Sequence, residues 1–388
     1  MHIKSNHVDV IVLGVGSLGA STCYHLAKRG VKVLGLEQFD IPHEKGSHTG
    51  QSRIIRKAYF EHSDYVPLLE RAYALWNALE EEADEQVYFR TGLLYIGDSG
   101  SSLISGVRKS SSLYNVAVVE KNRSQFEINH PQFQLPDHHT TFFEPDAGFL
   151  LPEKAIRLYT SQAIHHGANI RTNQKVISWE QTESGVIVTT AEGTYTADKL
   201  VITAGPWAGK LIPGWGNQLV VTRQVLAWIM PKNPDAFRLG TFPCWTLADD
   251  DHESIFYGFP ILPENGFDGP IGLKLAHHAQ GLHTDPDGLD LPPNNEDEKL
   301  IVDFLNRFIP GAYHHTVAMK TCRYTNSKDE HFILDQLPGH DKVFVASGCS
   351  GHAFKFSSVI GEIMADLAMY GKTQLPIDFL GADRLSTL

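Results

Sequence analysis

The stretch that decides the fold is Val8 to Gly19, in which VDVIVL runs directly into Gly14-Val15-Gly16-Ser17-Leu18-Gly19. A short apolar run rich in β-branched residues is typical of a buried parallel strand. Ser17 to Arg29 then predicts a helix ended by Gly30, and Val31 to Glu37 predicts a second strand. A strand, a glycine turn, a helix and a strand within about 30 residues form the βαβ unit that binds dinucleotides.

The residues of this turn each have a predicted task. Gly14 allows the tight turn, Gly16 lets a pyrophosphate approach the backbone, and Gly19 lets the helix pack closely on the strand. The helix N-terminus at Ser17 and Leu18 carries a partial positive charge that favours phosphate. Glu37 lies close to the position, about 20 residues on, where an acidic residue accepts hydrogen bonds from ribose. The alternative is a tight turn that binds no ligand.

Two further segments favour FAD over NAD, which Glu37 alone does not distinguish. The segment 196–205 (TADKLVITAG) predicts a buried strand that ends in two small residues, Ala204 and Gly205. This is similar to the second FAD-binding element of large flavoproteins. The segment 347–355 (SGCSGHAFK) predicts a glycine loop between a strand and a helix. Such a loop would direct backbone N–H groups and a helix dipole at the flavin edge that gains negative charge on reduction.

Nucleotide-binding features therefore occur at both ends of the chain, and this predicts a discontinuous domain. We expect an α/β fold in which residues 1–84, 143–218 and 320–388 form a Rossmann-like FAD-binding domain. Residues 85–142 and 219–319 would form a substrate-binding domain with a mixed, largely antiparallel sheet. The active site is expected between the two domains.

An amphipathic helix is predicted from Asp64 to Ala83, where apolar residues recur at spacings of three and four. Asp64 is the expected N-cap of this helix, and Pro67 is acceptable in its first turn.

Composition narrows the class of protein. The chain has 388 residues, 42% of them hydrophobic, and a formal net charge of −12, which disfavours global disorder and a nucleic-acid partner. No run approaches the roughly 18 apolar residues of a membrane span. The four cysteines lie far apart and predict neither disulfides nor a metal site. With no targeting signal recognised, the expected location is the cytoplasm.

Several long motifs give the chain a specific resemblance. The segment 46–59 (GSHTGQSRIIRKAY) resembles the GSHxGxxRxxRxAY stretch of the monomeric sarcosine oxidase and N-methyl-tryptophan oxidase family. So do the segments 257–260 (YGFP), 272–274 (GLK), 329–335 (DEHFILD) and 351–358 (GHAFKFSS). The similarity extends from Asp9 to about Lys372. Members of that family are FAD-dependent amine oxidases that act on secondary amino acids and release hydrogen peroxide.

The resemblance implies roles for individual residues. Cys322 matches a cysteine joined covalently to the flavin, and Lys274 matches a lysine that promotes the reaction with oxygen. Arg56 and Lys355 match the pair that holds the substrate carboxylate, and Arg53 an arginine beside the flavin ring. The implied pocket residues near the amine are Tyr257, Tyr324, His278 and Thr246. The implied cofactor residues, besides those of the first glycine turn, are Ser47, Arg53, Gly205, Cys322, Gly351, His352, Phe354 and Lys355.

Each role has a structural alternative. Cys322 could be an inert buried thiol, although nearby basic residues would favour its thiolate. Lys274 could be a solvated lysine, and the two tyrosines could be core residues. Arg53 and Arg56, three residues apart, could pair with acidic residues on a helix face. His277 competes with His278 for the pocket position.

The sequence also departs from the family pattern at positions where specificity would be set. Thr49 stands where the family often has histidine, and Ala353 where it often has a second glycine. Thr246 stands where sarcosine oxidase has methionine. The loop between Tyr257 and Lys274 is longer than expected for that enzyme. These changes leave the side chain of the substrate open.

The predicted activity is oxidation of an N-methyl or cyclic secondary α-amino acid, with O2 as acceptor and a monomeric enzyme. The alternatives are a dehydrogenase that uses a non-oxygen acceptor, a pipecolate-type enzyme, an NAD-dependent dehydrogenase, and a flavin-bearing subunit without turnover. Lys274 disfavours the dehydrogenase with a non-oxygen acceptor, because a cation that activates oxygen would be a disadvantage in such an enzyme.

Overall fold

The computed structural model describes residues 7–249, 254–288 and 291–386. In this part of the chain the helices are α1 (Ser17–Lys28), α2 (Val66–Ala83), α3 (Ser102–Tyr114), α4 (Arg123–Asn129), α5 (Pro152–His165), α6 (Ala208–Leu211), α7 (Asn295–Phe308) and α8 (Ser357–Tyr370). The strands are β1 (His7–Leu13), β2 (Val33–Leu36), β3 (Arg53–Ile55), β4 (Tyr88–Phe89), β5 (Leu93–Asp98), β6 (Val119–Glu120), β7 (His139–Glu144), β8 (Gly148–Leu150), β9 (Asn169–Arg171), β10 (Val176–Thr182), β11 (Gly185–Thr190), β12 (Gly193–Ile202), β13 (Val220–Met230), β14 (Cys244–Asp249), β15 (Ser254–Phe259), β16 (Leu273–His278), β17 (Leu282–His283), β18 (His315–Asn326), β19 (Ile333–Gln336) and β20 (Val343–Ser347).

The first sheet contains the predicted βαβ unit. Its strands run in the order β10-β11-β12-β1-β2-β9, with β20 beside β12 and β19 beside β20. Strand β1 is parallel to β2 and to β12, and β12 is parallel to β20. The carboxyl ends of these central strands therefore meet at one edge, which is where open α/β sheets bind ligands.

Helix α1 lacks a solvated face because it is covered on several sides. Every residue from Leu18 to Ala27 is buried, since α1 lies on the sheet and packs against α5 and α8. Gly361 of α8 allows this close approach, because a Cβ there would overlap Ser21 of α1.

The second sheet has nine strands, in the order β17-β13-β16-β15-β14-β5-β7-β6 with β18 also beside β13. All its pairings are antiparallel except the parallel pair of β14 and β5. The expected mixed, largely antiparallel sheet is therefore present. The domain boundaries themselves stay a prediction; strand β18 crosses the one placed between residues 319 and 320.

One local prediction was wrong. Asp64 does not cap the second helix but lies inside a short 3-10 turn, Ser63–Tyr65, that precedes α2. The side chain of His62 accepts the hydrogen bond from the backbone N–H of Asp64. Because the 3-10 turn continues directly into α2, the cap lies one turn earlier.

Within the described ranges, no helix combines the length and apolar character needed to cross a membrane.

Candidate active site

A large cavity follows the carboxyl ends of the strands of the first sheet. It has a volume of about 400 Å³, which lies within the range of small-molecule sites. Among its lining residues are these predicted cofactor residues: Gly14, Gly16, Ser17, Leu18, Glu37, Ser47, Arg53, Gly205, Gly351 and Phe354. Gly19 is not in that lining; it allows α1 to pack on the turn, because a Cβ there would overlap the Gly14 carbonyl group.

The geometry of this cavity fits a dinucleotide. Gly14 has a φ of +90°, and a Cβ on it would lie 2.7 Å from the Thr203 carbonyl oxygen. The Glu37 carboxylate accepts the backbone N–H groups of Val15 at 2.8 Å and Phe39 at 3.1 Å, so it is fixed at one end of the cavity. Ser347 Oγ and Thr325 Oγ1 are buried without a hydrogen-bond partner in the described residues, and both residues line the cavity. Unpaired buried hydroxyls indicate a polar ligand.

A second cavity, of about 70 Å³, adjoins the first and shares Arg53, Tyr324, Gly351 and Phe354 with it. The structure brings the predicted substrate residues together here: the remaining lining includes Arg56, Lys355, Tyr257, Thr246, His278 and His352. The lining also contains Glu61, Phe60, Ile54 and Ile255, which the motifs did not indicate. Residues separated by up to 300 positions in sequence therefore converge on one small pocket.

Besides Arg53, the pocket is lined by two further cations, Arg56 and Lys355, and by one carboxylate, Glu61. Arg56 donates to both oxygens of Glu61, at 2.6 and 2.7 Å, and Lys355 Nζ donates to the His352 carbonyl oxygen at 2.7 Å. Burial, reinforced by Arg56, lowers the pKa of Lys355 to about 7. Burial would raise the pKa of Glu61, but Arg56, His352 and Lys355 together bring it to about 2. With Glu61 ionised and Arg56 charged, the charge on Lys355 decides whether the three groups sum to a cation.

The alternative in which Arg53 and Arg56 pair with acidic residues on a helix face is wrong about the helix, but Arg56 does pair with an acidic residue, Glu61. Arg53 lies in the short strand β3, and Arg56 follows directly after its end. The Arg53 guanidinium donates to the carbonyl oxygens of Ser47 at 3.2 Å, Ser52 at 2.9 Å and Thr49. These bonds fix the guanidinium at the junction of the two cavities.

The structure also distinguishes the two adjacent histidines. His278 lines the pocket and its Nδ1 lies 3.1 Å from the Tyr324 hydroxyl oxygen. His277 points to the other face of β16, where it stacks on Phe256 and contacts Ser254 Oγ at 2.6 Å. Burial lowers the pKa of His278 to about 4, so its imidazole is neutral at pH 7. Thr246 pairs with Tyr257 across β14 and β15, which places both beside His278.

Lys274 is buried, 1% exposed, and is not among the residues that line either of these two cavities. Its Nζ donates to the Ser52 carbonyl oxygen at 2.6 Å, to Ser52 Oγ at 3.1 Å and to the Gly50 carbonyl oxygen. Lys274 therefore lies against residues 50–52, the loop that leads into Arg53. Burial, followed by repulsion from Arg53, lowers the pKa of Lys274 well below its usual value.

Cys322 lies on β18 and is buried with Tyr324, Leu226, Trp228 and Ala276. It does not line the large cavity but a small one of about 30 Å³ on another side. The expected stabilisation of its thiolate is outweighed: burial raises the pKa of Cys322, although Arg53, Lys274 and Arg323 act in the opposite direction. Cys322 and Tyr324 are two residues apart on one strand, so they share a face.

The loop between β20 and α8 joins the two cavities. Gly351 has a φ of +80°, and a Cβ there would overlap the Tyr324 ring. Ala353 adopts an ordinary helical conformation with φ −86°, so its side chain requires no unusual backbone. His352 lines the substrate pocket rather than the large cavity. Its Nε2 lies 3.0 Å from the Glu330 carbonyl oxygen, and its Nδ1 contacts the Tyr59 hydroxyl.

A dinucleotide cavity that opens onto a buried cationic pocket defines a nucleotide-dependent oxidoreductase. The chain belongs to the FAD-dependent oxidoreductase family, whose model matches residues 9–367, and the predicted relationship is confirmed. It is 37% identical to the monomeric sarcosine oxidase of Bacillus sp. (strain NS-129), over 98% of this chain and 97% of that protein. It is 35% identical to the N-methyl-L-tryptophan oxidase of Yersinia pestis (strain Pestoides F), over 92% of this chain and 94% of that protein.

The fold also matches solved structures over nearly the whole chain. NikD, described as an unusual amino acid oxidase essential for nikkomycin biosynthesis, superposes with a TM-score of 0.85 at 25% identity, covering 97% of each chain. An L-proline dehydrogenase from P. horikoshii superposes with a TM-score of 0.83 at 19% identity, covering 99% of each chain. The second likeness is one of fold alone.

Proposed function

We propose that this protein is an FAD-dependent oxidase of a secondary α-amino acid, with an N-methyl amino acid as the favoured substrate and O2 as the acceptor. The observation that carries the proposal is the convergence of Arg56 and Lys355 in a buried pocket that shares Arg53 and Tyr324 with the nucleotide cavity. Relatives at 35–37% identity are named as oxidases of sarcosine and N-methyl-L-tryptophan.

The two cations would bind the substrate carboxylate. A guanidinium can hold a carboxylate through two parallel hydrogen bonds, while the ammonium of Lys355 adds a point charge. Arg56 already makes such a pair with Glu61. A substrate carboxylate would therefore share Arg56 with Glu61 or displace it, and the pocket would be selective for an anionic end group.

The opposite side of the pocket would receive the amine. Tyr257 and Tyr324 keep their protons there, because burial raises the pKa of each hydroxyl. His278 is neutral, so it adds no positive charge beside the amine. An ammonium has no lone pair to release, and these neutral polar groups can hold the free amine without a strong general base.

FAD, when bound, supplies the redox chemistry, in which it accepts a hydride equivalent from the C–N unit and passes the electrons to oxygen. Residues of this chain would hold and orient it: the first glycine turn would bind the pyrophosphate, Glu37 the ribose, and Arg53 with the loop 347–355 the ring end. The imine product would hydrolyse in water.

Cys322 is proposed as the covalent attachment point of FAD. What supports this is its position on β18 two residues from Tyr324, which lines both larger cavities. Acid precipitation tests the link: a yellow pellet from the wild-type protein and a colourless one from Cys322→Ser are expected. Complete release of flavin from the wild-type protein would contradict it.

The activity is tested by anaerobic bleaching of the visible flavin band with sarcosine, N-methyl-tryptophan, other N-methyl amino acids, pipecolate and proline. Rapid bleaching by one secondary amino acid, followed by recovery of colour with peroxide when air returns, is the expected result. Bleaching without recovery in air would instead indicate a dehydrogenase with another acceptor. A yellow protein bleached by none of these compounds would exclude the proposed substrates.

A further inference from the structure

We propose that Gln51 is a positioning residue for the reaction with oxygen: its side-chain amide fixes the 50–52 loop, and the carbonyl groups of that loop fix Lys274. The inference rests on the proposed role of Lys274 as the oxygen-promoting cation. It assigns a task to a residue whose role the family motifs leave open.

The Gln51 amide is held by three hydrogen bonds in a chemically specific arrangement. Its Nε2 donates to the carbonyl oxygens of Asp268 at 2.9 Å and Pro270 at 3.2 Å, and its Oε1 accepts the Trp228 indole N–H at 2.7 Å. The carbonyl groups can only accept and the indole can only donate, so only an amide in this orientation satisfies all three partners. Gly269 packs on this amide, where a Cβ would lie 3.2 Å from Nε2.

The backbone at this position requires such support. Gln51 has a φ of +71°, in the left-handed region that a residue with a side chain rarely adopts. The neighbouring Gly50 has a φ of +114°. The carboxylate of Glu153 accepts the N–H groups of Gly50 at 2.7 Å and Gln51 at 3.3 Å. The loop is therefore held by Glu153 through its N–H groups and by Gln51 through its side chain.

The same loop supplies the acceptors of Lys274. The Lys274 ammonium donates to the carbonyl oxygens of Gly50 and Ser52, on either side of Gln51. Trp228, which donates to the Gln51 side chain, lies directly opposite Lys274 in the pairing of β13 with β16. Loss of the Gln51 amide would thus disturb both the loop and the strand next to Lys274.

This arrangement gives the long connection between β15 and β16 a different task from the expected one. The length of this connection predicts a role in substrate specificity, but its residues 263–272 do not line the second cavity. Residues 268–270 instead contact Gln51. The connection would therefore affect the reaction with oxygen rather than the choice of substrate.

The test compares Gln51→Leu and Gln51→Glu with the wild-type enzyme. The Gln51→Glu variant would keep the side-chain volume and the bond from Trp228 but lose the two donors. We expect reoxidation in air, after reduction with dithionite, to slow by about tenfold, which corresponds to the loss of about one hydrogen bond. Anaerobic reduction by substrate should change less than about twofold. The midpoint of the pH dependence of reoxidation should also move, because Lys274 would have lost its fixed acceptors.

A second measurement does not depend on turnover. Hydrogen exchange in residues 263–272 should become faster in both Gln51 variants. The matched control is Gln132→Leu, which removes a hydrogen bond to the Ala236 carbonyl oxygen at 2.7 Å, outside both cavities, and should change none of these quantities. Faster exchange with unchanged reoxidation, or equal slowing of both half-reactions, would overturn the proposal. Because dithionite replaces the substrate, failure of the proposed substrate class would show separately, as wild-type flavin that no amino acid reduces.

Discussion

At the scale of single residues, the charge of Lys355 should make carboxylate binding depend on pH. The pKa of this buried lysine is about 7, so the free pocket loses a positive charge as pH rises through 7. Arg56 remains charged throughout: burial alone would lower its pKa, but Glu61 and neighbouring tyrosines outweigh burial and raise it. We expect the affinity for an inert carboxylic acid to fall between about pH 6 and 8.

Calorimetric titration of such an acid, one without an amine, checks this prediction. In Lys355→Met the affinity should be lower at pH 6 and should lose the step near pH 7. Stability changes in the opposite direction: unfolded chains bind the Lys355 proton up to about pH 10.4, so the free energy of unfolding rises with pH between 7 and that value. If the affinity shows a step of the same size in the wild-type protein and in Lys355→Met, the step belongs to another titrating group.

Lys274 should act mainly in the reaction with oxygen. Replacing it by methionine removes a preorganised charge, and we expect reoxidation to slow by a factor of about 10² to 10³ while reduction by substrate changes little. Since burial lowers the pKa of Lys274, its charge is lost at a lower pH than in an ordinary lysine. The wild-type reoxidation rate should therefore fall as pH rises.

Stopped-flow measurement of the two half-reactions tests this prediction. Lys199→Met is a matched control, because Lys199 donates to the Ala368 carbonyl oxygen at 2.6 Å and lines neither cavity. Similar losses in both half-reactions of Lys274→Met would refute a specific role with oxygen.

At the scale of elements, the loop between β20 and α8 should tolerate no side chain at Gly351. Alanine there would be strained at φ +80° and would overlap Tyr324. Gly371 ends α8 with a φ of +71° but has open space around it, so Gly371→Ala isolates the backbone strain, about 1 kcal/mol. Gly351→Ala should lower the melting temperature further and also reduce the flavin content.

Thermal unfolding and the ratio of visible to ultraviolet absorbance check this pair. Equal losses of stability with full flavin content in both variants would show that the Tyr324 ring moves aside freely. The comparison therefore measures how rigidly the shared wall of the two cavities is held.

Local periodicity was sufficient to predict several elements. The βαβ unit, the buried strand within residues 196–205 and the body of helix α2 follow from apolar patterns and glycine positions. Strand β3 could not be predicted in the same way: Arg53-Ile54-Ile55 is only three residues long and is defined by its pairing with β8, about 95 residues later. The position of Asp64 depended on a 3-10 turn that propensity does not distinguish from a helix start.

Local patterns were also insufficient to predict every residue of the second cavity. Strand alternation separates His277 from His278 only after the register of β16 with β15 is known. Glu61 lies five residues beyond Arg56, and its two hydrogen bonds to that arginine had no motif to indicate them. The sequence indicated Glu61 only as an acidic residue shortly after two nearby arginines. Such an acidic residue is by itself more often a solvated charge on the surface.

At the scale of the whole molecule, the two large sheets meet across the nucleotide cavity. Asp287, in the segment that follows β17 of the second sheet, lines the cavity together with residues of the first sheet. Asp287 accepts a hydrogen bond from the Trp207 indole at 2.9 Å and lies 2.8 Å from Lys210 Nζ and 3.4 Å from Lys175 Nζ. All four residues line the cavity. Asp287 therefore joins the segment after β17 to three residues on the wall of the cavity, Trp207, Lys210 and Lys175.

This contact predicts a barrier to loss of noncovalent FAD. The side chains of these ion pairs are 40 to 66% exposed, so the pairs contribute at most about 1 kcal/mol and are screened by salt. In a Cys322→Ser background, Asp287→Asn keeps an acceptor for Trp207 but loses the charge. We expect FAD to dissociate a few times faster, by up to about fivefold, with the difference shrinking as salt is added.

Fluorescence of released FAD measures this rate. Asp303→Asn is the matched control, because Asp303 forms an exposed ion pair with Lys299 on α7 and lines neither cavity. If Asp287→Asn and Asp303→Asn release FAD equally fast at low salt, the contact does not restrain the cofactor. If the difference persists at high salt, the ion pairs of Asp287 are not what restrains the cofactor, because salt screens exposed ion pairs.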